Sequence, residues 1–568
     1  MKKIILPVLI ILLFLFSGIN SVAQKDNPVR SSRAYMHHEV VSDGYQPLHG
    51  KDVVTSPGYT YSDPIFFTTQ VNVDESGNNI IGDAANEPSI AVDPTDPNRM
   101  VIGWRQFDNV SSNFRQAGNA YTTDGGQTWT FPGVIDEGVF RSDPVLDCDA
   151  NGRFYYNSLT VDASSNYSCN VFRNLGTGFT WDNGPFAQGG DKQWMVIDRT
   201  EGMGSGNIYS FWTTDYSVCF PGAFTRSTDG GESYEDCVEV DGTPYWGNMA
   251  VGKNGELYIA GSAGWDGIRV VKSSNAQNPS STVTWDFSSY VDMDGYITGW
   301  TSMNPEGLLG QANICVDVSD GPGSGNVYVL ASVARNSVND PADVMFASSA
   351  DGGSTWSTPV RINDDAGISK YQWFGTMSIA PDGRLDVVWL DNRDGIGGTY
   401  WSALYYSCSF DQGLTWIPNI KLSESFNPHI GWPNQQKMGD YFDMESEQGS
   451  AHLSWANTLN GEQDVYYGHI ILQFTDIKSE NQRILSLSGY PNPFIERMTI
   501  KYTLLEDSRV ILKIYDVCGK EIKTLVNEFQ AAGNYSLPSE LSELSNGVGY
   551  CRLIAGKYSE TISFTKLQ

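Results

Sequence analysis

An eight-residue phrase recurs four times along this chain, and it limits the fold before any single residue does. It runs from Thr122 to Trp129, Ser227 to Tyr234, Ser349 to Trp356 and Ser409 to Trp416, in the form Ser/Thr-x-Asp-x-Gly-x-Ser/Thr-aromatic. A repeat at intervals of tens of residues signals copies of one supersecondary unit, stacked or arranged radially. The phrase has the chemistry of a hairpin turn. The carboxylates of Asp124, Asp229, Asp351 and Asp411 accept hydrogen bonds from turn N–H groups, glycine supplies positive φ, and the aromatic packs beneath the sheet.

A second pattern interleaves with the first: an apolar run, a turn, and another apolar run. Seven copies begin near Glu87, Asp143, Gln193, Asn248, Asn313, Met377 and Tyr441. Their spacing of roughly 50 to 65 residues is the length of a four-stranded blade with its loops. Good turn phrases follow copies one, three, five and six, and eroded ones follow copies two (Gly176 to Trp181) and four (Thr282 to Trp285). Copy seven ends after His469 to Phe474 without a phrase, so the run Ile65 to Val73 is expected to supply its outer strand and close the ring. The phrases resemble the Asp-box of sialidase-like β-propellers. That resemblance, with the repeat count, implies an all-β chain: a seven-bladed β-propeller over residues 61–474, with six blades as the alternative.

The flanks read differently. Met1-Lys2-Lys3, the apolar run Ile4 to Phe16 and a small, polar exit to Gln24 form a secretory leader over residues 1–24. The leader run is too short for a membrane span, so no transmembrane anchor is expected in the mature chain. Residues 25–60 are a polar segment, and 475–488 a polar linker. After it come Tyr490-Pro491-Asn492-Pro493-Phe494, Ile514-Tyr515-Asp516 with Gly519-Lys520, and Gly547-Val548-Gly549-Tyr550. These motifs resemble the C-terminal sorting domain of the Bacteroidota type IX (Por) secretion system. The resemblance implies a small β-sandwich at 489–568, and export machinery as a partner. An exported chain permits disulfides, and Cys219 and Cys237 flank one turn phrase as candidates; Cys518 and Cys551 are a second pair. A net charge of −30 excludes nucleic acid as a natural partner.

In a propeller the ligand face gathers the loops leading into each innermost strand and those joining the second and third strands. Here they carry Glu87, Asp143, Asp191, Trp246, Trp373, Asp440 and Tyr441, then Arg105, Trp265, Arg335, Arg393 and, on a longer loop, His429. Aromatic faces with carboxylates and arginines suit an extracellular glycan or glycoprotein. The sialidase resemblance implies an arginine triad (Arg105, Arg335, Arg393), a nucleophile (Tyr441) with Glu87 as its partner, and an acid (Asp143). A polysaccharide lyase would use His429 with Tyr441 and Arg393. Asp191, Asp440, Trp246 and Trp373 would hold substrate. The acidic rim leaves room for Ca2+ without requiring any cofactor. The readings that remain open are a propeller that cleaves glycans, as hydrolase or lyase, and a non-catalytic surface platform that binds glycan or protein.

Overall fold

The computed structural model describes residues 43–45, 53–175, 179–215, 217–472, 485–504, 507–516, 520–555 and 558–567. The expected leader, most of the linker and Cys518 lie outside them. The chain divides into two compact units between Ile470 and Ile471. The described residues hold β-strands and one 3-10 turn, Gly264–Asp266.

Among the described residues of the first unit, seven antiparallel sheets of three to five strands follow one another along the chain, beside a two-stranded one that pairs Val54–Pro57 with Asn78–Ile81. Their innermost strands are Ala84–Val92, Ser142–Cys148, Trp194–Ile197, Met249–Val251, Asn313–Val316, Gln372–Ile379 and Asp443–Glu447. Each packs on the next, and the last packs on the first. The seven sequence repeats each contribute one of these strands. Closure comes from the N-terminal side, as the run at Ile65 to Val73 leads one to expect. Phe66–Gln70 pairs antiparallel with Asp464–Ile471, setting Tyr466 opposite Gln70 and His469 opposite Phe67. Thr60–Ser62 then pairs with Phe66–Gln70 to make this sheet five-stranded.

An innermost strand is a sheet edge, and its outward N–H groups need acceptors. Side chains of the preceding sheet supply them at six of the seven junctions. Asp443 Oδ2 accepts from Ile90 N (3.1 Å), Ser89 Oγ from Leu146 N (2.9 Å) and Asp147 Oδ2 from Ile197 N (2.7 Å). Asn248 Oδ1 accepts from Ile314 N (2.8 Å), Asn313 Oδ1 from Met377 N (3.4 Å) and Ser378 Oγ from Ser446 N (2.9 Å). Polar residues in otherwise apolar strands are thus the ties between neighbouring sheets.

The four turn phrases share one geometry. Asp351 Oδ1 accepts from Thr355 N (2.9 Å) and Ser349 Oγ (2.7 Å), and its Oδ2 accepts from Thr355 Oγ1 (2.6 Å). Asp124, Asp229 and Asp411 repeat the pattern with Thr128, Ser233 and Thr415. The hydroxyl of Thr355, its backbone N–H and the hydroxyl of Ser349 bring Asp351 down to about 2. Cys219 and Cys237 are joined in a disulfide.

The second unit is a β-sandwich. One sheet holds Leu485–Tyr490, Arg497–Leu504 and Gly533–Glu540; the other holds Ser508–Asp516, Glu521–Gln530, Gly547–Ala555 and Tyr558–Lys566. Alternate residues point inward, and Met498, Ile500, Leu512, Leu553 and Phe564 fill the space between the sheets.

The seam strand should be as costly to weaken as any core strand. Phe66 is fully buried and its ring lies 6.4 Å from that of Trp455. Phe66→Ala is expected to destabilise the propeller by about 3–5 kcal/mol, read as a lowered midpoint in urea unfolding. A shift below about 1 kcal/mol would mean that the seam does not hold the ring.

Candidate functional site

At the mouth of each innermost strand the backbone takes a left-handed conformation. The residues are Glu87 (φ 51°), Asp143 (46°), Lys192 (55°), Trp246 (56°), Gly310 (135°), Phe374 (56°) and Gly439 (100°). Register breaks beside Glu87, Asp143 and Phe374 mark these as bulges, which re-aim side chains. Positive φ is costly for residues with a Cβ, so five such positions in one ring are held by their surroundings.

Those surroundings include a buried ionic cluster. Lys437 Nζ lies 2.8 Å from Glu87 Oε1 and 2.7 Å from Asp440 Oδ2. Lys192 Nζ also reaches Asp440 Oδ2, and Arg105 Nε is 3.3 Å from Glu87 Oε2. Arg105 is fixed further by Asn86 Oδ1 (2.8 Å) and Gln435 Oε1 (2.9 Å). Asp143 accepts from Lys192 N (3.1 Å) and Ser142 Oγ (2.7 Å). Asp191 and Arg115 complete the group, and all of these side chains are buried.

Electrostatics divide the four carboxyl groups. Burial opposes ionisation of Asp440, yet Lys192 and Lys437 hold it well below the usual range. Asp143 is lowered too, against burial, by Lys192, Lys437 and Arg105. For Glu87 burial outweighs Arg105 and Lys437, and the group is raised to about 7. Burial likewise lifts Asp191 to about 6 against the pull of Lys192.

Two loops roof the cluster. Asn304 donates to Gly439 O (2.8 Å) and accepts from Met438 N (3.0 Å); Gln436 N donates to Glu306 Oε2 (2.9 Å). Leu308 N donates to Asp440 Oδ1 (2.7 Å), and Asn434 Nδ2 reaches across to Ser111 O (2.7 Å). The 297–309 and 427–440 segments are therefore laced to each other and to the cluster beneath.

Several sequence expectations change accordingly. Glu87, Asp143, Asp191, Asp440 and Arg105 do converge, as an ionic network rather than an open substrate site. Arg335 and Arg393 are engaged elsewhere: Arg335 pairs with Asp294 (2.5 Å) and Asp343 (2.6 Å), and Arg393 with Asp391 (2.8 Å) and Asp364 (2.5 Å). Local carboxylates thus occupy two members of the expected triad. The Tyr441 hydroxyl donates to Pro144 O (2.7 Å), its ring packs on Trp194, and burial drives its pKa well up, which opposes a nucleophile. His429 Nε2 lies 3.0 Å from Met303 O and its ring stacks on Tyr400, so the lyase base is occupied. Trp373 is fully buried, its Nε1 donating to Ser402 Oγ (3.2 Å), and offers no face to a sugar. Trp246 is also buried, but its ring meets Trp300, which is 40 % exposed, at 5.7 Å.

The sequence reading placed Trp265 on this face but missed Tyr296 and Trp300. Beside the 264–266 turn, Trp265 is 60 % exposed and lies 4.3 Å from Tyr296 at 55°. Tyr296 and Trp300 lie in the segment ahead of the fifth innermost strand, Asn313–Val316. Lys437 and Arg115 were also missed, because no repeat marks their loops. Among the described residues no group of three or more His, Cys, Asp or Glu could hold a metal ion, and no helix is long and apolar enough to cross a membrane.

Residues 488–566 match the secretion system C-terminal sorting domain. The chain is thus an all-β propeller protein carrying a type IX secretion address, which directs it to the cell surface or beyond. No curated protein matches the sequence. Solved structures similar to it include a Dyadobacter fermentans protein of unknown function, at 15% identity and TM-score 0.42, with 72% of this chain and 100% of that one covered. Another is the BP39L lectin of Burkholderia pseudomallei, at 12% identity and TM-score 0.44, with 69% and 97% covered. The phage phi92 endosialidase aligns at 10% identity and TM-score 0.40 over 88% and 87%.

Two outcomes test the cluster. Lys437→Met leaves Asp440 and Glu87 short of a buried cation and should cost about 3–5 kcal/mol in urea unfolding. Glu87 keeps its proton to about 7 in the fold but releases it near 4.5 when unfolded, so its contribution to stability falls as pH rises across that window. Glu87→Gln should therefore flatten the stability profile between pH 5 and 7 by about 1 kcal/mol per pH unit. An unchanged slope would show that Glu87 is ionised throughout.

Proposed function

We propose that this exported propeller binds extracellular glycans through an aromatic platform on its rim, built from Trp265, Tyr296, Trp300 and the supporting Trp246. The observation that carries this reading is the exposure of two indoles that the fold does not need to leave in water. Large exposed aromatics on a rigid rim mark binding surfaces, and their faces suit the C–H faces of pyranose rings. Asp294, Ser337 and Arg335 form a hydrogen-bonded group next to Tyr296 in sequence and register, and could take up sugar hydroxyls.

Binding is preferred to cleavage for a specific reason. Catalysis calls for a perturbed carboxyl or phenol beside a pocket. At the mouth of the propeller the perturbed groups, Glu87, Asp191 and Tyr441, are neutralised, hydrogen-bonded or roofed, and the expected sialidase and lyase partners are tied up locally.

The test is a glycan array followed by calorimetry on the full chain. Trp265→Ala and Trp300→Ala should each weaken the leading glycan at least tenfold while leaving the melting temperature within a few degrees. Mass spectrometry of the incubated glycans should return them intact. Products carrying added water or a new double bond would replace this reading with a hydrolase or a lyase, and the absence of any bound glycan would remove it.

A further inference from the structure

On the face opposite the rim the innermost strands enclose a cavity of about 860 Å³. Its wall is mixed, with a hydrocarbon part from Ile90, Val92, Val196, Ala250, Val316 and Ile379. Trp194 and Asn248 stand at the inner end; between them and Phe374 and Tyr441 only about 10 Å³ remains, roughly room for one water. The cavity is therefore blind, and its volume lies in the range of small-molecule sites.

The charges on its lining do not cancel. Five carboxylates, Asp147, Glu201, Asp443, Glu445 and Glu447, face two cations, Arg199 and Lys253. Arg199 is shared between Glu445 Oε1 (2.7 Å) and Asp147 Oδ1 (2.5 Å). Lys253 turns away to Asp320 (2.6 Å), and Glu447 has His452 (3.3 Å). Asp443 has no cation among its described partners: Oδ2 accepts from Ser89 Oγ (2.6 Å) and Ile90 N (3.1 Å). It begins its strand, near the closed end, while Glu447 ends the strand towards the mouth. Burial raises Asp443 to about 7, the behaviour of a carboxyl lacking a counter-charge.

We propose that this cavity is a second ligand site, taking a small apolar cation whose ammonium group pairs with Asp443 and whose hydrocarbon body lies along the wall towards the mouth. A cation at Asp443 supplies the missing charge in a low-dielectric place, where pairing is strong. The body removes hydrocarbon wall from water. The site is separate from the rim platform and does not depend on the glycan reading.

Calorimetry on the full chain with n-alkylammonium ions, butyl to decyl, and with alkanols of matching length tests this. Affinity should climb about three- to fourfold per methylene, with each ammonium at least tenfold tighter than its alkanol. Asp443→Asn should abolish that preference while leaving alkanol binding in place. Ala250→Trp, which fills the cavity, should block both series without affecting glycan binding at the rim, with melting curves confirming that each variant is folded. Should Asp443→Asn fail to fold, Ala250→Trp and the ammonium–alkanol comparison still decide. No saturable binding, equal affinity for ammonium and alkanol, or undiminished binding by Ala250→Trp would overturn the proposal.

Discussion

The pairing of Phe66–Gln70 with Asp464–Ile471 is the constraint on which the propeller depends. Seven sheets in a row would present two open faces and two unpaired edges. Joining a strand from the start of the unit to the sheet at its end removes both. Thr68 Oγ1 donates to Tyr467 O (2.7 Å) across this join, and Asn72 Nδ2 to Asp464 Oδ1 (2.6 Å). Once the ring is closed, each innermost strand has a neighbour on both sides, and the side-chain ties between sheets can form around the circle.

The ionic cluster follows from that closure. It draws Glu87 and Arg105 from the first sheet, Asp143 from the second, Lys192 from the third and Lys437 and Asp440 from the approach to the seventh, groups that meet only when first and last sheets are adjacent. A cluster with as many cations as carboxyl groups offsets its own desolvation through internal pairing. It also fixes the strained mouth residues. The outcome is a hub with its polar groups turned inward, while Trp265 and Trp300 meet solvent at the rim.

Much of this was legible in the chain. The turn phrases and apolar repeats marked the sheets, because Asp-Gly turns and alternating strands are local chemistry. The closing strand was legible because copy seven lacked its own. The sorting motifs were equally plain. What could not be read was direction. Trp373 and Trp246 stand at loop-to-strand positions that look exposed, but a bulge shifts the pleat and turns each ring inward. Arg335 and Arg393 looked available although Asp343 and Asp391 stand 8 and 2 residues from them, because their second partners, Asp294 and Asp364, sit 41 and 29 residues away in sequence. Lys437 sits in a loop with no repeat to flag it, and only the closed ring brings it to Glu87. Asp443 and Asp147 were visible as acids in apolar strands, but the cavity they face exists only when seven strands surround an axis.

The seam also has a consequence in time. Its halves are separated by almost the whole propeller sequence, so a chain emerging from its N-terminus cannot complete the ring until residues 464–471 have appeared. Long-range closures of this kind form slowly. The sorting domain, residues 488–566, follows the last seam residues and a linker in the chain. A chain that can display its address has therefore already delivered the residues that lock it shut, so chain order alone ensures that the address cannot appear on a propeller still lacking its final strand.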